Sequence, residues 1–551
     1  MKKIIYFLLV PFCSFAQYQW QPLETNIGTS AGLTTLESII FNSKLYFLAS
    51  GSSVSGIGEE LYSTDGTVAG TSLVQNLTPT FGQSSAIRDL RIFNNEIFFT
   101  AVTPETGREL YKCNGTTITL VKEIRLGSAD SRVQSMVEIN GLLYFFAEDA
   151  LNVGLDLWRT DGTANGTIKV QELDRDVFNP QHLMAKLDHY IIYVAESFNN
   201  PVGRELYSFN TLTNEIIQLF DTPNNPNGTI FYSSLTNFDN KLFFVVGNKL
   251  YHTDGQTSVM VSSPTAIQTM SNFTVFNNQL IFIASSSNFG THDIYRCQKV
   301  SGEYTITLVY DFSPGAANLG LPFFSIDPDL LKFVPFNNKL YFAASEQLIS
   351  GNNGLYKIYE TDGLTAQVII PIVHATLPSR PIFNITPWNN DLYFQMANND
   401  GQGAIWKANP ATGSYTVIDN ANSGPIASIP TNVASQRPMV LWQNNLYMTA
   451  RNFATNSELF KLSNTNLSLA TSNSQKKYKI FPNPAVKDFI IDNASNNNLA
   501  VKMYNSIGQE VAFQKIQDQH YDIRNLANGI YIVSVHDLDS GNVATHKLIK
   551  N

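Results

Sequence analysis

The amino-acid sequence predicts an all-β protein, and three observations indicate it. A short phrase rich in asparagine and apolar residues recurs nine times between residues 41 and 450. Each copy contains a nearly continuous apolar run, which is typical of a strand covered on both faces. An amphipathic second phrase follows each copy, and no helical period of comparable length appears between them. A unit that recurs roughly every 50 residues indicates structural repeats that stack on one another.

The first phrase predicts a tight hairpin turn followed by an interior strand. Asn-Gly, Asn-Asn and Asp-Asn pairs suit the positive φ of a two-residue turn, and the apolar residues after them form the strand. The copies are FNSKLYFLA (41–49), FNNEIFFTA (93–101), INGLLYFFA (139–147), LDHYIIYVA (187–195), FDNKLFFVV (238–246), FNNQLIFIA (276–284), FNNKLYFAA (336–344), WNNDLYFQM (388–396) and WQNNLYMTA (442–450).

The second phrase predicts a third strand and another tight turn, as in ELYSTDGTVAGT (60–71) and DLWRTDGTANGT (156–167). Asp accepts bonds from backbone amides ahead of it while Gly takes the left-handed position. A short strand after this turn completes a unit of four strands. Repeated four-stranded units predict a β-propeller over residues 17–470, with nine blades counted and eight as the alternative. Because an open ring exposes sheet edges, the stretch from Tyr18 to Leu23 is expected to pair with the last unit.

The second phrase resembles the ELWxTDGTxxGT repeat of bacterial surface proteins, which is loosely similar to kelch-type blades. The third copy, with Trp158 and residues 160–167, matches it most closely. Units four, six, eight and nine lack the DGT. We therefore interpret Asp65, Asp161, Asp254 and Asp362 as parts of turns rather than cation ligands, since each turn offers a single carboxylate.

The last 76 residues have a different pattern. From Lys476 they contain a Pro-Asn-Pro turn, a glycine after YNSI, an L..GIY block and a K.I ending. This succession resembles the type A C-terminal sorting domain of the type IX secretion system. The matching positions are Pro482, Asn483, Pro484, Gly508, Leu526, Gly529, Tyr531, Lys547 and Ile549. The resemblance implies that residues 476–551 are recognised by the type IX machinery, and about seven short strands there fit a small immunoglobulin-like β-sandwich. A polar linker (471–475) precedes them.

The N-terminus is consistent with export. Two lysines precede an apolar run, and Ser14 and Ala16 supply the small residues of a cleavage site, which predicts a signal peptide over residues 1–16. No other stretch is long and apolar enough to cross a bilayer as a helix. Residues 17–475 carry 25 basic and 38 acidic residues, which argues against nucleic acid and anionic membranes as partners. Cys113 and Cys297 lie in different units and are expected to be buried and unpaired.

The connections on the side opposite the tight turns vary in length, and variable loops on a fixed scaffold are typical of a binding surface. The candidate ligand-binding residues on these loops are Arg88, Arg132, His182, Tyr232, Arg380 and Arg437. The acidic pairs Glu148–Asp149 and Asp327–Asp329 are interpreted as solvated loop charge. No HExxH, GxSxG or P-loop occurs, so no catalytic residue, metal site or cofactor is predicted.

The sequence thus favours a secreted or surface-displayed propeller that binds a glycan or protein without catalysing a reaction. One alternative is a secreted polysaccharide hydrolase or lyase whose carboxylates converge at the channel mouth. Another is a structural component of the surface layer. Export is expected to proceed by the Sec route and then through the type IX system to the exterior.

Overall fold

A computed structural model gives the fold of the protein. The chain divides into two compact units, one of Tyr18–Ser463 and the other containing Asn464–Asn551. The predicted signal peptide (1–16) and linker (471–475) lie outside the described residues. The structure describes residues 17–23, 37–50, 56–80, 82–150, 154–173, 184–197, 200–220, 230–263, 267–285, 292–311, 333–345, 356–370, 382–397, 403–418, 439–451, 457–465, 478–492, 498–505, 511–537 and 543–551.

The larger unit begins with strand β1 (Gln17–Pro22) and then forms sheets of four consecutive strands. Sheet 1 contains β2 (Ser38–Phe41), β3 (Lys44–Ser50), β4 (Glu59–Thr64) and β5 (Ser72–Leu73). Sheet 2 contains β6 (Arg88–Phe93), β7 (Glu96–Thr103), β8 (Gly107–Cys113) and β9 (Ile118–Lys122). Sheet 3 contains β10 (Gln134–Ile139), β11 (Leu142–Ala147), β12 (Asp156–Thr160) and β13 (Ile168–Gln171). Sheet 4 contains β14 (Met184–Leu187), β15 (Tyr190–Ser197), β16 (Asn200–Asn210) and β17 (Ile216–Phe220).

The same order continues through the later repeats. Sheet 5 contains β18 (Ile230–Phe238), β19 (Lys241–Val246), β20 (Lys249–Thr253) and β21 (Ser258–Met260). Sheet 6 contains β22 (Gln268–Phe276), β23 (Gln279–Ser285), β24 (His292–Val300) and β25 (Glu303–Tyr310). Sheet 7 contains β26 (Val334–Phe336), β27 (Lys339–Ser345), β28 (Tyr356–Thr361) and β29 (Ala366–Ile370). Sheet 8 contains β30 (Phe383–Trp388), β31 (Asp391–Ala397), β32 (Gly403–Ala408) and β33 (Tyr415–Val417).

The ninth sheet takes its fourth strand from the start of the chain. It contains β34 (Val440–Trp442), β35 (Asn445–Arg451) and β36 (Ser457–Thr465), and β1 lies beside β36. The amide of Leu23 donates to the carbonyl of Leu459 at 3.0 Å. The expectation that residues 18–23 pair with the last unit is confirmed.

The apolar runs of the first phrase form the interior of the sheets, as predicted. In the second strand of sheet 1, Leu45 and Phe47 are fully buried, and Tyr341 and Phe342 of sheet 7 are buried as well. Each sheet shares an apolar core with the next sheet along the chain. Sheet 9 packs on sheet 1 through Trp442 and Tyr447. The packing contacts therefore return from the last repeat to the first.

Antiparallel pairing gives each sheet two different ends. The first-to-second and third-to-fourth turns, such as Asn42–Ser43 and the Asp65–Gly66 turn, lie at what we call the turn end. The other two connections lie at the opposite end, the loop end. Asn42 and Ser43 have φ of 45° and 59°, which confirms the predicted hairpin conformation. The first strands of sheets 1 to 6 contact one another in succession, as do those of sheets 7 and 8.

The smaller unit consists of two antiparallel sheets. One sheet has the order β37 (Lys479–Phe481), β38 (Asp488–Asp492), β41 (His520–Asp522) and β40 (Gln514–Gln517), and the other has β39 (Leu499–Tyr504), β42 (Gly529–Asp537) and β43 (Val543–Lys550). Phe489 and Tyr521 of the first sheet share a core with Met503, Val533 and Leu548 of the second. The described residues thus form seven strands in a β-sandwich, as predicted.

Candidate functional site

The TDGT turns at the turn end satisfy their own polar groups. In sheet 1, both the amide and the hydroxyl of Thr67 donate to Asp65 Oδ1, at 2.9 and 2.7 Å, and the amide of Gly66 donates to Thr64 Oγ1 at 2.9 Å. These bonds from Thr67 lower the pKa of Asp65. The turn with Asp161 has the same bonds, at 2.8 and 2.7 Å. The interpretation of these aspartates as turn residues is confirmed.

The glycines of these turns also lie against the preceding sheet. A Cβ on Gly66 would lie 2.8 Å from the hydroxyl of Tyr447 in sheet 9, and one on Gly255 would lie 2.4 Å from the ring of Tyr190 in sheet 4. Because the turns are occupied by contacts between sheets, they offer few groups to a ligand.

The loop end has an internal framework that the sequence analysis did not predict. The acidic residue that opens the second phrase is buried in sheets 1 to 3, as Glu60, Glu109 and Asp156. Glu109 accepts the amides of Ile124 and Arg125 at 3.1 and 2.9 Å, and Asp156 accepts the amide of Leu173 at 2.9 Å. Each carboxylate therefore holds the start of the loop that leads to the next sheet.

A serine in two of these loops joins neighbouring sheets. Ser131 donates its amide and hydroxyl to the carbonyl of Arg108 at 2.9 and 2.7 Å, while its carbonyl accepts the amide of Glu148 at 2.7 Å. Ser85 makes the equivalent contacts one repeat earlier, with Glu59 and Val102. The loops after sheets 1 and 2 thus have a fixed backbone, which is a suitable support for binding side chains.

Glycine permits this close approach of loop and strand. A Cβ on Gly58 would lie 1.9 Å from the carbonyl oxygen of Gln83, and one on Gly107 would lie 2.6 Å from the carbonyl carbon of Ala129. Both glycines precede the buried acid by two residues, in the pattern G-x-E-L-Y. That pattern recurs with Gly203, and as G-x-D-L-W with Gly154, so the sequence did contain a signal for this contact.

Arginines lie on this framework on both sides of sheet 2, and two of them, in the loop after that sheet, share one carboxylate. Arg125 and Arg132 each donate through Nη1 to Glu148, at 3.3 Å to Oε1 and Oε2 respectively. Arg125 also donates to the carbonyl of Asp130 at 3.2 Å, and the amide of Arg108 donates to Asp130 Oδ1 at 2.7 Å. These contacts join the loop after sheet 2 to both flanking sheets.

Arg88 extends this group towards sheet 1. It pairs with Glu59 at 2.9 Å, and its charge acts on Arg108, whose pKa is lowered mainly by burial. We call Arg88, Arg108, Arg125 and Arg132, with the carboxylates Glu59, Asp89, Asp130 and Glu148, the arginine cluster. The side chains of Arg88 and Arg132 are 50% and 46% exposed, so they are the two arginines most open to a ligand.

The first strands of sheets 2 and 3 carry bulges next to this region. The register of β6 with β7 shifts between Arg88 and Arg91, and that of β10 with β11 shifts between Gln134 and Val137. Asp89 and Ser135 have positive φ inside these bulges, at 63° and 57°. Bulges of this kind redirect side chains and are frequent beside functional sites.

Of the predicted ligand-binding residues, Arg88 and Arg132 both lie at the loop end, Arg88 paired with Glu59 and Arg132 paired with Glu148. His182, Arg380 and Arg437 lie outside the described residues, and Tyr232 belongs to β18 with its side chain outside them. The prediction that Glu148 is solvated loop charge is wrong, because it is buried between two arginines. Asp149 pairs with Lys169 at 2.8 Å, and Asp327 and Asp329 lie outside the described residues.

Cys113 and Cys297 are buried and free, in sheets 2 and 6. Burial raises the pKa of Cys297 to about 12, which makes it a poor nucleophile. Within the described ranges, no three His, Cys, Asp or Glu side chains are arranged to hold a metal ion. No helix in that part of the chain is long and apolar enough to span a membrane.

In the smaller unit, the Pro-Asn-Pro turn is bonded to the C-terminal strand. Asn483 Nδ2 donates to the carbonyl of Lys547 at 2.6 Å, and Asn483 Oδ1 accepts the amide of Ile549 at 2.9 Å. Ala485 exchanges backbone bonds with Ile549 and Asn551, at 2.8 and 2.9 Å.

The GIY block lies on the other side of the same strand. Gly529 pairs with Lys550 and Tyr531 with Leu548, while the hydroxyl of Tyr531 donates to the carbonyl of Ala527 at 2.8 Å. Pro482 and Pro484 flank Asn483 in the turn, and Gly508 lies outside the described residues. Three blocks separated in sequence therefore meet around β43.

Comparison with known proteins agrees with this geometry. Residues 479–551 match the family described as the secretion system C-terminal sorting domain. The protein thus carries a type IX sorting domain and is secreted or displayed at the cell surface. A search of curated proteins finds no match.

Solved structures show only distant similarity. PorZ, described as an essential bacterial surface component of the type IX secretion system of Porphyromonas gingivalis, is 12% identical with a TM-score of 0.31, over 94% of this chain and 75% of that one. Oligopeptidase B from Leishmania major is 9% identical with a TM-score of 0.32, over 82% of this chain and 53% of that one. A puromycin hydrolase is 12% identical with a TM-score of 0.34, over 69% and 61%. The chain spans about half to three quarters of these proteins, and none of these scores supports transfer of an activity.

Proposed function

We propose that residues 17–470 form one closed β-propeller of nine blades, joined by the linker 471–475 to the sorting domain 476–551. Two observations support closure. The nine sheets are linked by apolar contacts that return from sheet 9 to sheet 1, and β1 supplies the outer strand of the last sheet. Closing a ring with a strand from the opposite terminus removes the exposed edges that an open array would have.

We infer that this secreted protein binds a glycan or protein at the loop end, without catalysing a reaction. The arginine cluster carries the inference, because it combines a fixed backbone with two half-exposed arginines, whereas the turn end uses its polar groups internally. His182, Tyr232, Arg380 and Arg437 are proposed as further contacts from the variable loops of other blades. The sorting domain would deliver this surface to the cell exterior.

Two arginines on one strand provide a test of whether the loop end or the turn end of the sheets binds the ligand. Arg88 and Arg91 both lie on β6, but Arg88 starts the strand at the loop end while Arg91 lies nearer the turn end. We expect a glycan and protein array probed with residues 17–551 to lose its signal with Arg88→Gln and Arg132→Gln, and to keep it with Arg91→Gln. The opposite result would place binding at the turn end, and hydrolysis of an array ligand would indicate an enzyme.

A further inference from the structure

The three-stranded sheet of the sorting domain is apolar on both of its sides. Tyr531 and Val533 of β42 belong to the core together with Leu548 of β43. Because side chains alternate along a strand, Ile530 and Ile532 point to the opposite, outward side. An antiparallel sheet with one face on a core normally carries polar residues on the other face. Here two outward positions in succession carry isoleucine, and Ile530 is 48% exposed.

The two neighbouring strands extend this outward surface. Ile530 is paired with Ile549 of β43, and Ile532 is paired with Tyr504 of β39. Residues that pair directly across antiparallel strands have their side chains on the same face of the sheet. Ile549 and Tyr504 therefore also point outward, and the four apolar side chains are neighbours.

The Pro-Asn-Pro turn adds one more apolar residue at the edge. Ala485 is buried and its amide donates to the carbonyl of Ile549 at 2.8 Å, so the turn runs alongside β43. Val486, the next residue, is 59% exposed. We call the five residues of this surface the outer apolar face: Val486, Tyr504, Ile530, Ile532 and Ile549. Each lies in or within two residues of the PNP, YNSI, GIY and K.I blocks.

Polar and basic residues border the outer apolar face. The next outward pair along the sheet, Lys502 with Ser534, is polar, and Lys547 of β43 and Lys487 after the turn are exposed. Single exposed isoleucines are common in strands because β-branched residues favour them, whereas a contiguous apolar surface with a polar border is typical of an interaction site. A complementary surface would be apolar at its centre and acidic at its border.

We propose that the outer apolar face is the surface by which the sorting domain docks on a protein of the type IX secretion machinery. The family match gives the class of partner, since it assigns this part of the chain to sorting by a secretion system. The inward side chains of the sorting blocks build the core of the domain, and the outward ones form the docking surface. This surface belongs to the smaller unit, so it does not depend on the binding proposed for the loop end.

Export of the full chain by the native host tests the docking surface. The double change Val486→Ser and Ile530→Ser removes two exposed apolar side chains and leaves the core intact. We expect the secreted fraction to fall about tenfold or more, with folded protein accumulating in the periplasm. Lys547→Glu keeps all five apolar residues and reverses a charge at the border, and it should also lower the secreted fraction.

Two further variants are matched controls. Ile516 is 52% exposed but lies on β40 in the other sheet, outside the sorting blocks, so Ile516→Ser should be exported like wild type. Val486→Ile with Ile530→Leu keeps the face apolar and should also be exported normally. Thermal unfolding of the purified full-length variants should give wild-type midpoints, because every change is at an exposed position.

Sedimentation with vesicles of phosphatidylcholine and phosphatidylglycerol separates a protein partner from a lipid surface. We expect the wild type and the double serine variant to bind these vesicles equally weakly. Vesicle binding that the serine variant loses would assign the face to a membrane surface instead. Normal export of the serine variant would overturn the proposal, and so would an equal loss with Ile516→Ser. If the serine variant failed to fold, normal export of Lys547→Glu would be the contradicting result.

Discussion

At the scale of single residues, Gly107 shows how the loop end depends on a missing side chain. It has φ of 62°, and a Cβ there would lie 2.6 Å from backbone atoms of the next loop. The backbone of that loop can shift only at a cost in stability. Gly107→Ala is therefore expected to reduce the free energy of unfolding by about 2–4 kcal/mol. Denaturant unfolding of the purified protein measures this.

Gly127, in the loop that Gly107 approaches, provides the matched control. It also has positive φ, at 85°, but no atom lies within 4 Å of the position its Cβ would take. Gly127→Ala should therefore cost only the backbone strain, about 1–2 kcal/mol. Equal losses in the two variants would mean that close approach of the loop is not what requires glycine at 107.

The buried Glu109 predicts an unusual dependence on pH. Burial raises its pKa from 4.5 to about 7, despite the backbone amides that it accepts. A group whose pKa is raised by folding stabilises the protein fully below its unfolded pKa, and this contribution is lost as pH rises towards the folded value. Between pH 4.5 and 7 we expect Glu109 to lower the free energy of unfolding by roughly 3 kcal/mol.

Glu109→Gln tests this through the slope of stability against pH. The amide does not titrate, so the variant should lose the decline between pH 5 and 8, whatever its absolute stability. Glu105→Gln, at an exposed position, should keep the wild-type slope. If wild type and Glu109→Gln had parallel profiles, Glu109 would not titrate in this range.

Sequence reasoning placed Arg88 and Arg132 at the loop end but misjudged the acid that pairs with Arg132. An acid after an apolar strand is usually exposed, and nothing local distinguishes Glu148 from that case. Its burial depends on Arg125, 23 residues earlier in the chain, and on Arg132. The loop framework was missed for a similar reason, since Glu109 bonds residues that follow it by 15 and 16 positions.

At the scale of strands and turns, the chemistry of neighbouring residues was sufficient to predict the structure. Asn-rich pairs, TDG turns and apolar runs each specify a conformation through neighbouring residues, and the hairpins, second strands and turns appear where they were predicted. The loop end is different because its conformation depends on contacts between repeats. The arginine cluster could thus be predicted only as a set of exposed loop residues.

The second strand of sheet 7 provides a test of the interior strands. Tyr341 is 3% and Phe342 is 6% exposed, and Phe342 stacks with Tyr359 at 5.5 Å between ring centroids. Phe342→Ala and Tyr341→Ala should each cost about 3–5 kcal/mol through lost apolar contact and the cavity that remains. Chemical unfolding measures the loss, and an unchanged midpoint would contradict the assigned packing of this strand.

At the scale of the whole molecule, the same repeat produces two unlike ends. Antiparallel strands place both tight turns together, and these turns use their polar groups to join sheets. The acids and glycines of the G-x-E-L-Y units, together with Ser85 and Ser131 of the loops themselves, order the loops at the opposite end. A scaffold with one uniform end and one variable end can change its ligand without changing its core.

The separation of the chain into two compact units predicts the result of removing the sorting domain. The two units have separate cores, and Phe489 and Val533 belong to the core of the smaller one. A chain ending at residue 470 should therefore fold, with the unfolding midpoint of the propeller unchanged, and should remain in the periplasm of the native host. Cell fractionation and thermal unfolding measure both outcomes. Release of the truncated protein at the normal level would contradict export through residues 476–551. Loss of its fold would contradict independent domains.

Asn483→Ala in the full chain provides a finer test. It removes both side-chain bonds to β43, and it should reduce export while leaving the propeller folded, because the three sorting blocks meet at that strand.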